Sequence, residues 1–169
     1  MLERFLLYYS HVALKIFIGA IVAVLVGGIA FGFYKSVPPT TQTSMATNTK
    51  ALTIGSTTVQ AEVEDTDASR EQGLSGRTSL ADGTGMLFVF DTPGKYGFWM
   101  KDMNFSIDML FVDASGTIVT IAPNASPAGY HLDPPQVFYP ASDVQYVLEV
   151  PAGFAAAHNV KVGQKMLAP

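Results

Sequence analysis

From Gly85 to Asp113 the chain reads GMLFVFDTPGKYGFWMKDMNFSIDMLFVD, and this stretch limits the possible folds more than any other. It holds two β-hairpin signals. Met86–Phe90 and Tyr96–Met100 are β-rich runs separated by Asp91-Thr-Pro-Gly-Lys95, with Pro-Gly in turn order. Met109–Val112 and Thr117–Ile121 flank Asp113-Ala-Ser-Gly116 in the same way. Large apolar residues at this density belong in a core. Lys101 and Asp108, set among them with Trp99, the one Trp of the chain, must therefore be paired or put to use.

The remaining pattern extends the β reading. Ala51–Ile54 reads as a strand, and across Thr58–Glu64 the apolar Val59, Ala61 and Val63 alternate with polar residues at the period of a half-buried strand. Asp67 offers an N-cap for a short helix ending near Gly73. Five prolines between Pro123 and Pro140 mark an irregular loop. Tyr146–Val150 is a further strand, Pro151–His158 holds a short helix, and Val160–Met166 is a last strand. The pattern predicts a mainly β (α+β) domain: a compact antiparallel barrel or sandwich of seven to eight short strands with one or two short helices. No long amphipathic helix lies between the strands, which excludes a doubly wound α/β fold.

An appendage precedes this domain. From Ile16 to Tyr34 nineteen residues carry no charge, flanked by Lys15 and Lys35. As a helix this run spans about 28 Å, close to the hydrocarbon thickness of a bilayer. It is long for a signal peptide, and Phe31, Phe33 and Tyr34 stand where a cleavage site needs small residues, so it reads as an uncleaved anchor. Arg4 and Lys15 before it against Lys35 after it favour a cytoplasmic N-terminus. The expected organisation is a cytoplasmic segment over 1–15, a transmembrane helix over 16–35, a Pro/Thr/Ser-rich linker over 36–50, and a globular domain over 51–169. That places a single-pass protein in the cell membrane, with lipid as the partner of its helix and the domain extracytoplasmic.

Residues 36–169 hold seven Lys/Arg against thirteen Asp/Glu, a net charge near −6, which argues against nucleic acid as a partner. The absence of cysteine excludes thiol catalysis, thiolate metal sites and disulfides. No Gly-x-Ser-x-Gly, His-Glu-x-x-His, Ser-x-x-Lys or phosphate-loop pattern appears. His131 and Asp133 alone are too few ligands for a metal. No catalytic residue, metal or cofactor is therefore expected.

Several blocks, in order, resemble the domain-of-unknown-function 192 family of small bacterial and archaeal proteins. They are Arg70-Glu-Gln-Gly-Leu74 with Arg77, Gly85-Met-Leu-Phe88 with Phe90, Phe98-Trp-Met-Lys-Asp102 leading to Ile107-Asp108 and Phe111, and Tyr146-Val-Leu-Glu149 with Gly163. Ser75 and Ser106 depart from the pattern, where Met and Pro are common. The resemblance covers roughly Val59 to Met166. It implies a compact β-rich fold, often exported or anchored, and brings no established catalytic residues.

Six residues are the candidates for a site, each with a structural alternative. Asp108 is either a ligand-orienting carboxylate or an acceptor for backbone N–H groups. Trp99 and Lys101 share one face of an expected strand, either as a platform for a ligand or as an edge lysine packed on an indole. Arg70 and Arg77 bracket the Gly73-Leu74 corner and either converge on an anion or pair with Glu71, Asp67 or Glu149. Glu149 is either the partner of an arginine or a second carboxylate beside Asp108. The favoured function is non-catalytic binding of a small polar ligand or envelope component. The alternatives are a protein-docking module, and a hydrolase or lyase using Asp108 with Glu149.

Overall fold

A computed structural model describes residues 48–167. The expected cytoplasmic segment, transmembrane helix and nearly all of the linker lie outside the described residues. Among the described residues no helix is long and apolar enough to cross a membrane. The first strand begins at Thr49, two residues inside the expected linker.

β1 (Thr49–Ile54) and β2 (Thr57–Glu64) form an antiparallel hairpin in which Leu52 faces Val59. Gly55, at φ +60°, takes the first position of its two-residue turn, where a side chain would be strained. The short helix α1 (Asp67–Gln72) follows. Its N-cap is Thr66, one residue before the expected Asp67, and Thr66 Oγ1 accepts the Ser69 N–H while Ser69 Oγ accepts that of Thr66. Through α1 the chain crosses to β3 (Thr84–Gly94), which lies parallel to β2. The sheet is therefore not purely antiparallel.

β4 (Ile107–Val112) and β5 (Ile118–Ala125) form the second expected hairpin, and β6 (Val144–Pro151) inserts between β4 and β3. The helix α2 (Phe154–Ala157) follows, and the strand β7 (Met166–Leu167) pairs with β1. The order is β5-β4-β6-β3-β2-β1-β7. The sheet curls until its two ends meet: Thr117 bridges Lys165, Ile118 N–H donates to Gln164 O (2.9 Å) and Met166 N–H to Gly116 O (2.8 Å).

Curling gives the sheet an inner and an outer face, and strand alternation assigns residues to each. Leu52, Val59, Leu87, Leu110, Leu148 and Val150 fill the inside, with Phe154 of α2. Met86, Phe88, Met109, Phe111 and Val147 occupy the other face, covered by Leu74, Phe98 and Met100. All six residues of β4 are buried, because both of its faces are covered. Complete burial of a side chain such as Phe111 contributes about 1.5–3 kcal/mol.

Three expectations are corrected here. Tyr96–Met100 is not a strand: only Phe98 bridges, to Phe138, with reciprocal bonds of 2.9 and 2.7 Å. β3 instead runs on through Pro93 to Gly94, held by Val144 of β6, so the Pro-Gly pair does not turn the chain. The aromatic run after it is a cover for the outer face. The 123–140 loop is partly regular, since β5 extends to Ala125 and a 3-10 turn occupies Pro127–His131. The last strand shrinks to two residues because Asn159 (φ +52°) and Gly163 (φ +92°) break the segment before it.

Candidate functional site

β6 decides the geometry of the site. Met109 and Met86 flank Glu149, whereas Asp108 lies opposite Val150. Since Glu149 and Val150 point to opposite faces, so do the two carboxylates. Glu149 belongs to the outer face with Val147, and Asp108 to the inner side with Leu110 and Val150.

Asp108 is fully buried, and its acceptors are occupied. Oδ1 takes the N–H groups of Asn124 (2.8 Å) and Gly153 (3.1 Å), and Oδ2 takes that of Ala155 (2.9 Å). The N-cap of α2 is Gly153, which has no side chain to cap with, so Asp108 supplies the missing acceptor from a distant strand. The reading of Asp108 as a ligand-orienting group is thereby corrected: it fastens α2 and the end of β5 to the sheet. With Asp108 and Glu149 on opposite faces, the hydrolase or lyase reading built on that pair fails.

Arg77 is also corrected. Its guanidinium makes a two-pronged bond to Glu62 of β2, 2.7 Å at each nitrogen, and does not line the cleft. Hydrogen bonding to Arg77 holds the Glu62 carboxyl below the usual glutamate range against a partial burial that opposes it.

The other four candidates meet. A cavity of ≈ 290 Å³ opens between α1 with the turn after it and the covering segment. Arg70, Gly73 and Leu74 form one wall, Tyr96, Phe98, Trp99 and Lys101 the other, with Phe88 and Phe90 of β3 beside them and Glu149 beneath. Gly73 turns the chain at φ +48°, and a Cβ there would sit 3.3 Å from the Phe88 ring. The aromatic walls brace one another. Phe90 and Tyr96 stack with centroids 3.6 Å apart, and Phe98 stands edge-on to Phe88 at 5.0 Å. The Tyr96 hydroxyl is committed, donating to Thr92 O at 2.6 Å.

Arg70 is largely committed as well. It pairs with Asp67, donates to the main-chain oxygen of Val89 (2.6 Å), and lies 5.2 Å from the Phe90 centroid. Pairing with Asp67 was one of its expected alternatives. Lys101 differs. It is exposed, its ammonium has no partner among the described residues, and it borders a second hollow of ≈ 280 Å³ with Glu71 and Asp102. It therefore stands on the rim between the two. Trp99, 57% exposed, stands on the same rim although its segment is not a strand.

Glu149 is the unusual group. It is 5% exposed and has no hydrogen bond among the described residues. No sealed side-chain oxygen or nitrogen among the described residues lacks a partner, so the Glu149 carboxyl must open into the cavity. Burial pushes its pKa up to about 8. At neutral pH the empty cleft thus carries an uncharged carboxyl at its floor. Glu149 is legible in the sequence as a candidate but its setting is not; Tyr96, Phe88 and Phe90 also line the cleft, and the aromatic density of the Gly85–Asp113 stretch is the signal for them.

The family model of the domain of unknown function DUF192, described as "Uncharacterized ACR", matches residues 49–168. The chain belongs to this family. Two crystal structures are similar in fold to this chain. One, of a candidate transcription regulator from Sinorhizobium meliloti, is 31% identical, covers 71% of this chain and 93% of its own, and has a TM-score of 0.64. The other, of a protein of unknown function from Novosphingobium aromaticivorans, is 28% identical with coverages of 70% and 84% and a TM-score of 0.65. No curated protein matches. The blocks through which the sequence resembles DUF192 supply the cleft: Arg70–Leu74 one wall, Phe98–Lys101 the other, Gly85–Phe90 the side and Glu149 the floor.

Proposed function

We propose that this domain is a non-catalytic binding module that takes a small polar ligand into the cleft over Glu149, tethered to the extracytoplasmic side of the membrane by residues 16–35. The supporting observation is a carboxyl, 5% exposed and unpartnered among the described residues, that faces an open cavity. A buried polar group without a partner costs about 1–3 kcal/mol, and a ligand that satisfies it recovers that cost on binding. The aromatic walls supply apolar area for the rest of the ligand. The membrane placement is supported by the uncharged run from Ile16 to Tyr34.

The test is co-purification. The full chain is isolated in a maltoside detergent from its own host, denatured, and the released small molecules are measured by mass spectrometry. A compound retained by the parent chain and by Arg77→Ala, and lost from Glu149→Gln and Lys101→Ala, is the expected result. An identical profile from all four chains, or none from any, overturns this reading.

A second reading, docking of a protein, is favoured by Trp99 and Tyr139, 57% and 62% exposed, on neighbouring parts of the surface. A Cβ on Gly97 would lie 2.7 Å from the Tyr139 ring, so that ring rests on the backbone two residues from Trp99. Crosslinking that captures a protein through this patch and not through the cleft would favour it. A net charge near −6 over residues 36–169 repels a phosphate backbone and disfavours nucleic acid as the partner.

A further inference from the structure

The cleft is chemically polarised, and its polarity suggests what fills it. Among the described residues its floor holds an unpartnered acid, Glu149, and its rim an unpartnered cation, Lys101. Between them the walls are aromatic: Phe88, Phe98 and Trp99 among others. From this arrangement we infer that the cleft takes a small zwitterion, an N-methylated ammonium carboxylate of the betaine class, with its ammonium on Glu149 and its carboxylate at Lys101. This rests on the binding reading above and names the ligand class for the same cavity.

Each part of that ligand meets something the empty cleft lacks. A methylated ammonium is a soft, weakly hydrated cation that aromatic faces attract, and it needs no hydrogen bond from them. Glu149 supplies the counter-charge at the end of the cavity, where low polarity strengthens the pair. At the rim the ligand carboxylate meets the one cleft cation that is not already engaged, since Arg70 is held by Asp67 and the Val89 carbonyl. A volume of ≈ 290 Å³ suits a compact molecule. The acidic charge of the chain draws a cationic head inward and disfavours a simple anion.

The proton at Glu149 gives ligand binding a pH signature. With its pKa near 8 in the empty cleft, the group must ionise to meet an ammonium, at a cost of about tenfold in affinity at pH 7. The other charged or titratable groups around the cavity are Arg70 and Glu71 from α1, and Tyr96 and Lys101 from the covering segment; β3 brings only Phe88 and Phe90. Affinity for the zwitterion then rises with pH up to about 8 and levels off. A neutral or anionic ligand that accepts a hydrogen bond from the protonated carboxyl shows the opposite trend.

Trp99 is the only Trp of the chain and lines the cleft, so its fluorescence reports binding directly. The full chain in maltoside detergent is titrated with glycine betaine, choline and 4-methoxybenzoate between pH 6 and 9. Saturable binding of glycine betaine, about tenfold tighter per pH unit from 6 to 7, is the expected result. Choline, without a carboxylate, binds several-fold more weakly, and Lys101→Ala removes that difference. Glu149→Gln weakens both ligands at pH 9 by tenfold or more and flattens the pH trend, with its melting temperature showing that it folds. Choline equal to betaine, affinity that falls with pH, preference for 4-methoxybenzoate, or no response to betaine each overturns the ligand class. Co-purification decides separately whether the cleft binds a small molecule at all.

Discussion

Asp108 and Glu149 stand one register step apart on neighbouring strands and point to opposite faces of the sheet. One carboxylate is saturated by three main-chain amides, and the other has no partner among the described residues. The same functional group in adjacent strands is thus a fastener on one face and an open end on the other.

Removing the fastener has a defined cost. Asp108→Ala leaves the N–H groups of Asn124, Gly153 and Ala155 without their acceptor. Only the Ala155 N–H is buried and the other two are part-buried, so at about 1–3 kcal/mol for a buried unsatisfied group and less for groups that water can reach, the loss is about 3 kcal/mol. Asp108→Asn keeps one acceptor oxygen and loses about half as much. Urea unfolding of the two variants checks the order. Equal stability of Asp108→Ala and the parent chain would remove the capping role.

Glu149 sets a pH dependence of the opposite kind to that of an ion-paired acid. Its folded pKa lies near 8 against a usual value of 4.5, so the folded chain binds more protons between these limits. Stability is highest below pH 4.5 with respect to this group, falls by about 1.4 kcal/mol per pH unit through the window, and is level above 8. Glu149→Gln keeps the shape and removes the ionisation. Unfolding free energies at pH 6, 7 and 8 should converge for the variant and decline for the parent. Parallel declines would mean that another group titrates.

Legibility from sequence followed the range of the interactions. The β4–β5 hairpin was readable because its turn is local: Asp113 accepts the N–H groups of Ser115 and Thr117, two and four residues on. The Pro-Gly pair misled because Gly94 is held by Val144, a strand that arrives only after the covering segment has crossed the face. Asp108 was ambiguous because two of its donors lie 45 and 47 residues away. Arg77 finds Glu62 across a parallel crossover, a pairing that spacing does not announce. Trp99 and Lys101 were legible as a pair, but the cavity they border exists only once Glu149 is placed beneath it.

The Glu62–Arg77 pair predicts an acid limb. Its hydrogen bonds hold the Glu62 carboxyl below its usual range, so its contribution is present above that range and lost as pH falls through the lowered value. Both side chains are partly exposed, which limits the pair to about 1 kcal/mol. Arg77→Ala should lower stability by that amount at pH 7 and make the parent and the variant converge toward pH 3. Arg77→Lys, with one prong, should fall between. A difference that persisted unchanged at pH 3 would assign the effect to packing of the arginine stem.

Gly85 tests how closely the floor of the cleft is built. It lies on β3 beside β6, where an added Cβ would stand 2.8 Å from the carbonyl oxygen of Glu149 and 3.0 Å from a Val59 methyl. Neither is the loose end of a flexible chain, so the strands must part. Gly85→Ala should cost about 1–3 kcal/mol, as for an overpacked core. Because the clash falls on the residue that carries the cleft carboxyl, displacement of β6 also moves Glu149 relative to the aromatic walls. Thermal unfolding should show the lost stability, and Trp99 emission should shift in the folded variant at the same time. A destabilised variant whose Trp99 emission stayed at the parent wavelength would show that the floor and the rim of the cleft move independently.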